Sequence, residues 1–306
     1  MVESNVSVIV VSFNTKEKLH RCLSCVEPEH EVIVIDNAST DGSPEMVETE
    51  FPHVRLIRNA DNRGFGPANN QGLDIMTREL ALFLNSDCYA DAGSILRLSA
   101  VFSDRQVVAA GGRLENLDGS FQPSVALNLT LWRVFQEQTF LDKLMRPFGL
   151  GYWMVEPFSE TRVVPQVMGA CLMIRPVERF DERYFLYCED TDLCKRLTEH
   201  GKILYEPMAT FIHELGSSSV GAGRWRSVAR YNRGKELYFS IHRGQGAAKV
   251  CLWFDRFGAF LRLLVWLIPT LLTLGLVKRL SNQVALFWKV LKTPALGPDY
   301  APHTLQ

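Results

Sequence analysis

A carboxylate at position 87 closes the most informative stretch of this chain. Residues 81–87 read ALFLNSD, an apolar run that leads into a polar cluster. Such a run, followed by turn-forming residues, predicts a buried parallel strand that emerges at the carboxyl edge of its sheet, where ligands of open α/β sheets bind. At that edge Asp87 can hold a divalent cation, which in turn holds phosphates. The alternative is an ordinary helix-capping aspartate.

Two other charged residues follow apolar runs in the same way. Asp36 comes directly after residues 31–35 (EVIVI), where a carboxylate can bind a base or a ribose. Arg63 lies in the polar loop after residues 54–57, where a guanidinium can meet a diphosphate. Each residue alone is compatible with a capping or surface role. Three such residues at one edge of a sheet favour a ligand site.

The order of the segments indicates how these residues are brought together. Strands that alternate with helices at the observed spacing predict βαβ units, and therefore an α/β, Rossmann-like fold with a mostly parallel sheet flanked by helices. Right-handed crossovers then place the four loops that follow the strands on one edge of the sheet. The strands are predicted at 6–11, 31–35, 54–57 and 81–84, and the helices at 16–25 and from about residues 44 and 67.

Four motifs occur in a fixed order in the first 87 residues: VSVIVVSFNT, VIVIDNASTDGS, IRNADNRGFGPANNQGL and LFLNSD. In this order and spacing they resemble the family 2 glycosyltransferases of the GT-A fold, above all their bacterial rhamnosyltransferase-like branch. The resemblance extends over roughly residues 6–243. It implies a metal-dependent, inverting enzyme that binds a nucleotide-sugar donor with the help of Mg²⁺ or Mn²⁺.

The resemblance also implies roles for single residues. In this family the Glu-Asp-x-Asp motif, here residues 189–192, carries the catalytic base, and by match the base is Asp190. Acidic residues are also favoured by the dipole at a helix amino terminus, so a purely structural role is the alternative. A histidine that precedes a small, polar loop completes the metal site of the family, which implies His213 beside Asp87 as metal ligands.

Donor-binding and acceptor-side positions follow from the same comparison of motifs. Small residues at Gly169 and Ala170 let the backbone approach a ligand closely, and they are placed on the acceptor side together with Glu189. The residues expected to bind the donor are Ser12, Asn14, Asp36, Asn37, Arg63, Gly64, Asn69, Asn85 and Ser86.

The last third of the chain differs in character from the rest. Residues 221–292 contain 13 Lys/Arg and 2 Asp/Glu, although the whole chain has a net charge of −1. We therefore predict a GT-A nucleotide-sugar-binding and catalytic domain at 1–220 and a basic, apolar, helical appendage at 221–306 that associates with a membrane. The apolar stretch 263–277 is shorter than the roughly 20 residues of a bilayer span. Basic flanks and Trp253, Trp266 and Trp288 favour an interfacial anchor, and a buried helix pair or a spanning helix are the alternatives.

Cysteine usage and charge set the expected compartment and partners. Seven cysteines without regular spacing predict reduced thiols. Together with the basic appendage, they predict a peripheral location at the cytoplasmic face of the inner (plasma) membrane. The net charge gives no reason to expect a nucleic-acid partner, and a homodimer is left open.

The predicted reaction transfers a sugar to a hydroxyl of a glycan or a lipid-diphosphate-linked glycan in cell-surface polysaccharide assembly. The best-matching donor is dTDP-L-rhamnose. The alternatives are a UDP-sugar donor (galactofuranose, a hexose or an N-acetylhexosamine) and an inactive nucleotide-sugar-binding assembly subunit. A nucleotidyltransferase is a further alternative, but it would carry a Gly-rich first loop with Lys or Arg, whereas this loop reads SFNT.

Overall fold

The structure is a computed structural model that describes residues 5–145, 148, 150–153, 158–214 and 224–294. The chain divides into two compact units, and three segments contribute to each. The first unit comprises Met1–Asn128, Trp153–Phe185 and Glu189–Ser218. The second unit comprises Leu129–Tyr152, Leu186–Cys188 and Ser219–Gln306.

Strands and helices alternate in the first part of the chain, and helices dominate the last part. The strands are β1 (Val6–Ser12), β2 (Glu31–Asp36), β3 (Arg55–Arg58), β4 (Leu80–Asn85), β5 (Cys88–Ala90), β6 (Val107–Glu115), β7 (Phe121–Gln122), β8 (Val125–Ala126), β9 (Arg162–Val163), β10 (Gln166–Val167), β11 (Cys171–Ile174) and β12 (Lys202–His213). The helices are α1 (Lys16–Ser24), α2 (Ser43–Glu50), α3 (Phe65–Ile75), α4 (Ser94–Ala100), α5 (Leu131–Gln138), α6 (Leu141–Met145), α7 (Glu189–Leu197), α8 (Arg224–Leu272) and α9 (Lys278–Lys292), with a 3₁₀ turn at Val101–Ser103.

A large mixed sheet is the centre of the first unit. Its strand order is β3-β2-β1-β4-β11-β6-β12-β5, with β7 paired to β6 and β9 paired to β12. The strands β3, β2, β1 and β4 are parallel, as the βαβ pattern predicts. The strand β11 runs antiparallel to both β4 and β6, so β6 has the same direction as β4, and β12 pairs with β6 in parallel. The sheet is therefore mostly parallel, as predicted, and β11, β5 and the short β7 and β9 are its antiparallel members. Apolar side chains of β1 and β4 are almost fully buried, which explains their continuous hydrophobic sequence.

The register of the strands decides which polar residues meet at the carboxyl edge. Ser12 at the end of β1 pairs with Asp36 at the end of β2, and Val11 pairs with Asn85 at the end of β4. On the far side of the sheet, His213 at the end of β12 lies opposite Cys88, the residue that follows Asp87. The polar residues that the sequence predicts at the carboxyl edge of the sheet therefore do lie at that edge.

The second unit is helical. The helix α8 is broken at Gly244, whose φ of 81° lies in the left-handed region, and it continues to Leu272. Both α9 and α5 pack against α8. Because α5 packs there, the segment 129–152 belongs to the second unit, whereas the predicted division assigned it to the first domain. Within the part of the chain that the structure describes, no helix is long and apolar enough to cross a membrane.

A buried ion-pair cluster holds the helices of the second unit together. The ammonium of Lys235, which is fully buried, lies 2.7 Å from Asp255 Oδ1 and 3.3 Å from Glu137 Oε2. The side-chain amide of Gln138 donates a second hydrogen bond to Asp255 Oδ1, at 2.8 Å. Burial raises the pKa of Asp255 to about 6, although the neighbouring Lys235 favours the ionised carboxylate.

Replacement of Lys235 by Met should destabilise the protein strongly. It leaves the buried carboxylate of Asp255 without its cation, which typically costs about 3–5 kcal/mol in the free energy of unfolding. The loss should be smaller at pH 5 than at pH 8, because the pKa of Asp255 is about 6 with Lys235 present and rises further without that cation, so the carboxyl of the variant is protonated and uncharged at pH 5. Urea unfolding at both pH values measures this loss in the free energy of unfolding. The exposed Lys249→Met is the matched control, and equal stabilities of the two variants would contradict the prediction.

Candidate functional site

Asp87 and His213 form a buried pair at the carboxyl edge of the sheet. The antiparallel pairing of β5 with β12 places them side by side, and the backbone N–H of Glu214 donates to the Asp87 carbonyl at 3.0 Å. The distance from Asp87 Oδ1 to His213 Nε2 is 3.5 Å. Both side chains are almost fully buried. A carboxylate and an imidazole that the chain separates by more than a hundred residues therefore face each other.

The tautomer of His213 follows from its hydrogen bonds. Its Nδ1 lies 2.7 Å from Gln122 Oε1, which can only accept, so Nδ1 carries the proton. The amide of Gln122 is oriented by two donations from its Nε2, to Asn116 Oδ1 at 2.8 Å and to the His213 carbonyl at 3.1 Å. The Nε2 atom of His213 therefore presents its lone pair towards Asp87, in the orientation that metal-ligating histidines adopt.

The pair has the chemistry of a divalent cation site that a phosphate would complete. Among the described residues, no group of three or more His, Cys, Asp or Glu side chains could hold a metal ion. Ions such as Mg²⁺ are commonly held by one or two protein ligands together with substrate phosphates, so a complete protein cage is not required. The carboxylate of Asp87 and the neutral imidazole of His213 fit such an ion.

Replacement of Gln122 by Leu should weaken Mn²⁺ binding by about 10- to 100-fold, which is the usual cost of losing the partner of a ligating histidine. Without an acceptor for Nδ1–H, His213 is free to change tautomer and orientation. Gln122→Glu keeps an acceptor and should retain most of the affinity. Electron paramagnetic resonance of free Mn²⁺ measures binding, and the exposed Gln106→Leu serves as the control. Unaltered Mn²⁺ affinity in folded Gln122→Leu would refute this role.

Asp190 reaches the same edge from the first turn of α7. The antiparallel pairing of β11 with β4 sets Cys171 opposite Leu84, so the residues just before β11 lie at the end of β4. There the backbone N–H of Asn85 donates to the Ala170 carbonyl at 3.0 Å. The neighbouring N–H of Gly169 donates to Asp190 Oδ2 at 2.8 Å. The strand that leads to Asp87 is thus linked by two hydrogen bonds to Asp190.

The acidic residues of the 189–192 motif have different environments. The fully buried Asp192 binds Arg196, with Oδ2 3.0 Å from Nε and 2.8 Å from a terminal nitrogen, which is a structural ion pair. Asp190 is half-buried, and its oxygens accept from Gly169 and from the N–H of Thr191 at 2.7 Å. Burial raises the pKa of Asp190, and these N–H donors offset part of the increase. Of the two aspartates in this motif, Asp190 is therefore the one whose carboxylate is not held in an ion pair with an arginine.

Asp36 presents an unsatisfied carboxylate oxygen. Its Oδ2 accepts from the backbone N–H of Ser39 at 2.9 Å. Its Oδ1 is buried and has no hydrogen-bond partner among the described residues. A buried carboxylate oxygen without a donor is costly, so a ligand N–H at this position would be favoured. The neighbouring Asn37 donates from Nδ2 to the Gly64 carbonyl at 3.0 Å and accepts from Asn59 at 2.9 Å, which joins the second and third loops.

Other predicted donor residues organise the loops. The hydroxyls of Ser12, Thr15 and Ser86 form a chain, with oxygen–oxygen distances of 3.1 and 3.0 Å. The exposed Asn14 joins the first loop to the second, since its N–H donates to Ser39 Oγ at 2.8 Å and its Oδ1 accepts from the Thr40 N–H at 2.8 Å. These contacts hold the loops in place.

Arg63, Gly64 and Asn69 surround the start of α3. Arg63 is exposed, with Nε 3.7 Å from an oxygen of Asp61. Gly64 has a φ of 91°, and a Cβ atom there would lie 2.4 Å from the Phe185 carbonyl oxygen, so only glycine fits. Asn69 donates from Nδ2 to the Phe65 carbonyl at 3.0 Å, and its buried Oδ1 has no partner among the described residues.

Sequence reasoning missed Gln122, Thr15 and Asn59. Gln122 follows the turn at Asp118-Gly119, but nothing in its spacing indicates a histidine that lies 91 residues further along the chain. Thr15 lies in the SFNT loop, whose other polar residues, Ser12 and Asn14, are both predicted to bind the donor. The roles assigned to the site residues in the sequence analysis stay predictions.

Comparisons with known proteins agree with the resemblance that the sequence motifs indicate. The family model described as Glycosyl transferase family 2 matches residues 7–154. The N-acetylglucosaminyl-diphospho-decaprenol L-rhamnosyltransferase of Mycobacterium tuberculosis is 29% identical over 235 residues, which cover 69% of this chain and 76% of that protein.

Two solved structures extend the likeness to the fold. The mannosyltransferase PcManGT from Pyrobaculum calidifontis, in complex with GDP-Man and Mn²⁺, has a TM-score of 0.55 at 15% identity and covers 95% of this chain and 86% of its own. S. aureus TarS 1–349 in complex with UDP-GlcNAc has a TM-score of 0.51 at 15% identity and covers 82% and 72%. The expectation from the four motifs is confirmed: residues 7–154 match the glycosyltransferase family 2 model, and the fold is GT-A-like.

Proposed function

We propose that the chain transfers L-rhamnose from dTDP-L-rhamnose to a hydroxyl of a lipid-diphosphate-linked glycan, with inversion at the anomeric carbon. The observation that carries the proposal is the convergence of Asp190 with the Asp87–His213 pair at the end of β4. The named activity of the mycobacterial relative supports the choice of sugar and of a diphosphate-linked lipid acceptor. That relative is similar over three quarters of its own length, so its chemistry is a reasonable guide.

Each group at the edge has a defined task in this reaction. Asp87 and His213 would hold Mg²⁺ or Mn²⁺, which when bound neutralises the charge that develops on the diphosphate leaving group. The free Oδ1 of Asp36 accepts the imide N–H of thymine or uracil. Asp190 accepts the proton of the acceptor hydroxyl while the hydroxyl oxygen attacks the anomeric carbon from the face opposite the nucleotide. Attack from that face inverts the configuration.

A screen of nucleotide sugars tests the proposal. The donors dTDP-L-rhamnose, UDP-galactofuranose, UDP-GlcNAc and GDP-mannose are each added with Mn²⁺, and thermal stabilisation and sugar transfer to a GlcNAc-diphosphate-lipid acceptor are measured. Stabilisation and transfer are expected with dTDP-L-rhamnose. Transfer from a UDP-sugar alone would overturn the choice of donor but not the reaction class. Stabilisation without transfer from any donor would favour an inactive binding subunit.

Replacement of Asp36 by Asn should weaken the binding of pyrimidine donors by about 10- to 100-fold, which is the range for losing a hydrogen bond to a charged group. An amide oxygen is a weaker acceptor than a carboxylate, and an amide NH₂ turned towards the base would oppose its N–H. Isothermal titration with dTDP measures the effect. The exposed Asp74→Asn makes the same chemical change on α3 and should bind dTDP like the wild type. Equal affinities of the two variants would contradict a base-binding role for Asp36.

A further inference from the structure

The second half of α8 carries an exposed apolar stripe. Its members follow one another at intervals of three, seven, four, four and three residues, which places them on one face of the helix. Each is at least 40% exposed, although each is a large hydrophobic residue. The stripe consists of Val250, Trp253, Phe260, Leu264, Ile268 and Leu271.

The stripe runs into an apolar tip between α8 and α9. The side chains of Leu272, Leu274 and Leu276 are 80%, 85% and 82% exposed. Single exposed apolar residues are ordinary on protein surfaces, but a continuous patch marks a surface that another apolar body covers. Stripe and tip form one such patch within the second unit.

The charged residues between positions 256 and 292 have a single sign. No Asp or Glu occurs between residues 256 and 298 of the sequence. Between residues 256 and 292, Arg262 is half-buried and the other five cations are exposed, on α8 or on α9: Arg256, Lys278, Arg279, Lys289 and Lys292. The body that covers the patch must therefore be apolar and bear negative charge at the boundary of its apolar part.

An anionic bilayer meets this requirement better than a second copy of the chain does. A symmetric dimer through the stripe would bring the flanking cations of two copies together, and the sequence offers no carboxylate in this region to pair with them. In a bilayer, the lipid phosphates lie directly above the acyl chains, so both the cations and the leucines find partners. Exposed Trp253 and Trp288 suit the same boundary, where amphipathic rings accumulate.

We propose that the stripe and the tip form a monotopic membrane-binding surface, with α8 in the plane of the interface and the leucines of the tip among the acyl chains of one leaflet. A helix bound in this way enters only about 5–10 Å below the headgroups, so it needs no spanning length. The absence of a spanning helix among the described residues is consistent with this mode. The inference concerns the second unit alone and is independent of the proposed donor and acceptor.

Vesicle flotation of the full chain tests the surface. Vesicles of phosphatidylcholine alone are compared with vesicles that also contain about 30% of the anionic lipid phosphatidylglycerol. The wild type should float with the anionic vesicles. The double variant Leu274→Glu, Leu276→Glu should bind them at least about tenfold more weakly, because it removes two apolar side chains and adds two negative charges. Lys278→Gln and Arg279→Gln should each weaken binding about fivefold on anionic vesicles only.

Controls separate membrane binding from general effects. Leu117→Glu and Met208→Glu introduce the same charge at residues of the first unit that are 58% and 67% exposed, and they should bind vesicles like the wild type. Circular dichroism and thermal melting check that the tip variants fold, which their high exposure favours. Wild-type flotation by the tip variant would overturn the proposal. The proposal would also be overturned if the wild type bound neither kind of vesicle and formed a dimer that the Leu271→Glu substitution dissociates.

Discussion

Asp190→Asn should lower kcat by about 10²- to 10⁴-fold, the usual contribution of a positioned general base. The substitution keeps the size of the side chain, and its oxygen can still accept from Gly169, so the backbone around it has no reason to move. What is lost is the ability to take the proton of the acceptor hydroxyl. Binding of the donor nucleotide should be unchanged, since Asp190 does not contribute to the Asp87–His213 pair or to the carboxylate of Asp36.

The neighbouring Asp192 provides the matched comparison. Asp192→Asn loses the charge of a buried pair with Arg196, so it should lower the unfolding free energy while the folded fraction keeps its turnover. Steady-state kinetics and urea unfolding of both variants distinguish the two roles. If Asp190→Asn turned over like the wild type, Asp190 would have no part in the proton transfer.

The dependence of activity on pH should also reflect the role of Asp190 as the base. Asp190 acts as a base only when ionised, so kcat/KM should fall as the pH decreases through its pKa. Because burial raises this pKa, the acid limb should lie above the value of about 3.9 that an exposed aspartate shows.

Asp87→Asn should abolish the response of the enzyme to Mn²⁺ and lower turnover by about 10²-fold or more, since electrostatic stabilisation by a metal is worth several kcal/mol. An amide in place of the carboxylate removes the negative charge of the site, while the hydrogen bond from the Glu214 N–H to the backbone of residue 87 remains. His213→Ala should have the same phenotype, because it removes the imidazole on the other side of the pair.

Metal titration gives the measurement. Wild-type enzyme treated with a chelator should lose activity and regain it with Mn²⁺, whereas neither variant should recover at any Mn²⁺ concentration. The exposed Asp91→Asn lies four residues away and serves as the control, with wild-type recovery expected. Undiminished Mn²⁺ affinity in both Asp87→Asn and His213→Ala would place the metal elsewhere and remove the basis of the proposed site.

Much of the first half of the fold could be read from local sequence. The runs that became β1, β2 and β4 are continuously apolar because both of their faces are buried, and such runs are recognisable without tertiary information. The polar loops behind them, with Asp36, Arg63 and Asp87, follow directly from the carboxyl ends of parallel strands. The family was also recognisable, because its motifs lie within these local segments.

The second unit was harder to anticipate. Residues 127–165 show no clean periodicity, so no local pattern separates α5 from the first domain. Helix α5 belongs to the second unit because it packs against α8, which begins almost a hundred residues later in the chain. The buried Lys235–Asp255 pair was equally hard to anticipate, because a sequence does not distinguish buried charged residues from exposed ones.

The sequence by itself determined the α/β pattern, the family and the identities of the chemical groups, because these depend on residues close together in the chain. Only the tertiary structure decided that β11 runs antiparallel to β4 and so carries Gly169 to Asp190. It also decided the register of β5 with β12, which sets His213 beside Asp87, and the position of Gln122, which orients the imidazole. Pairing between distant strands depends on the packing of the whole sheet, and no local pattern of residues encodes it.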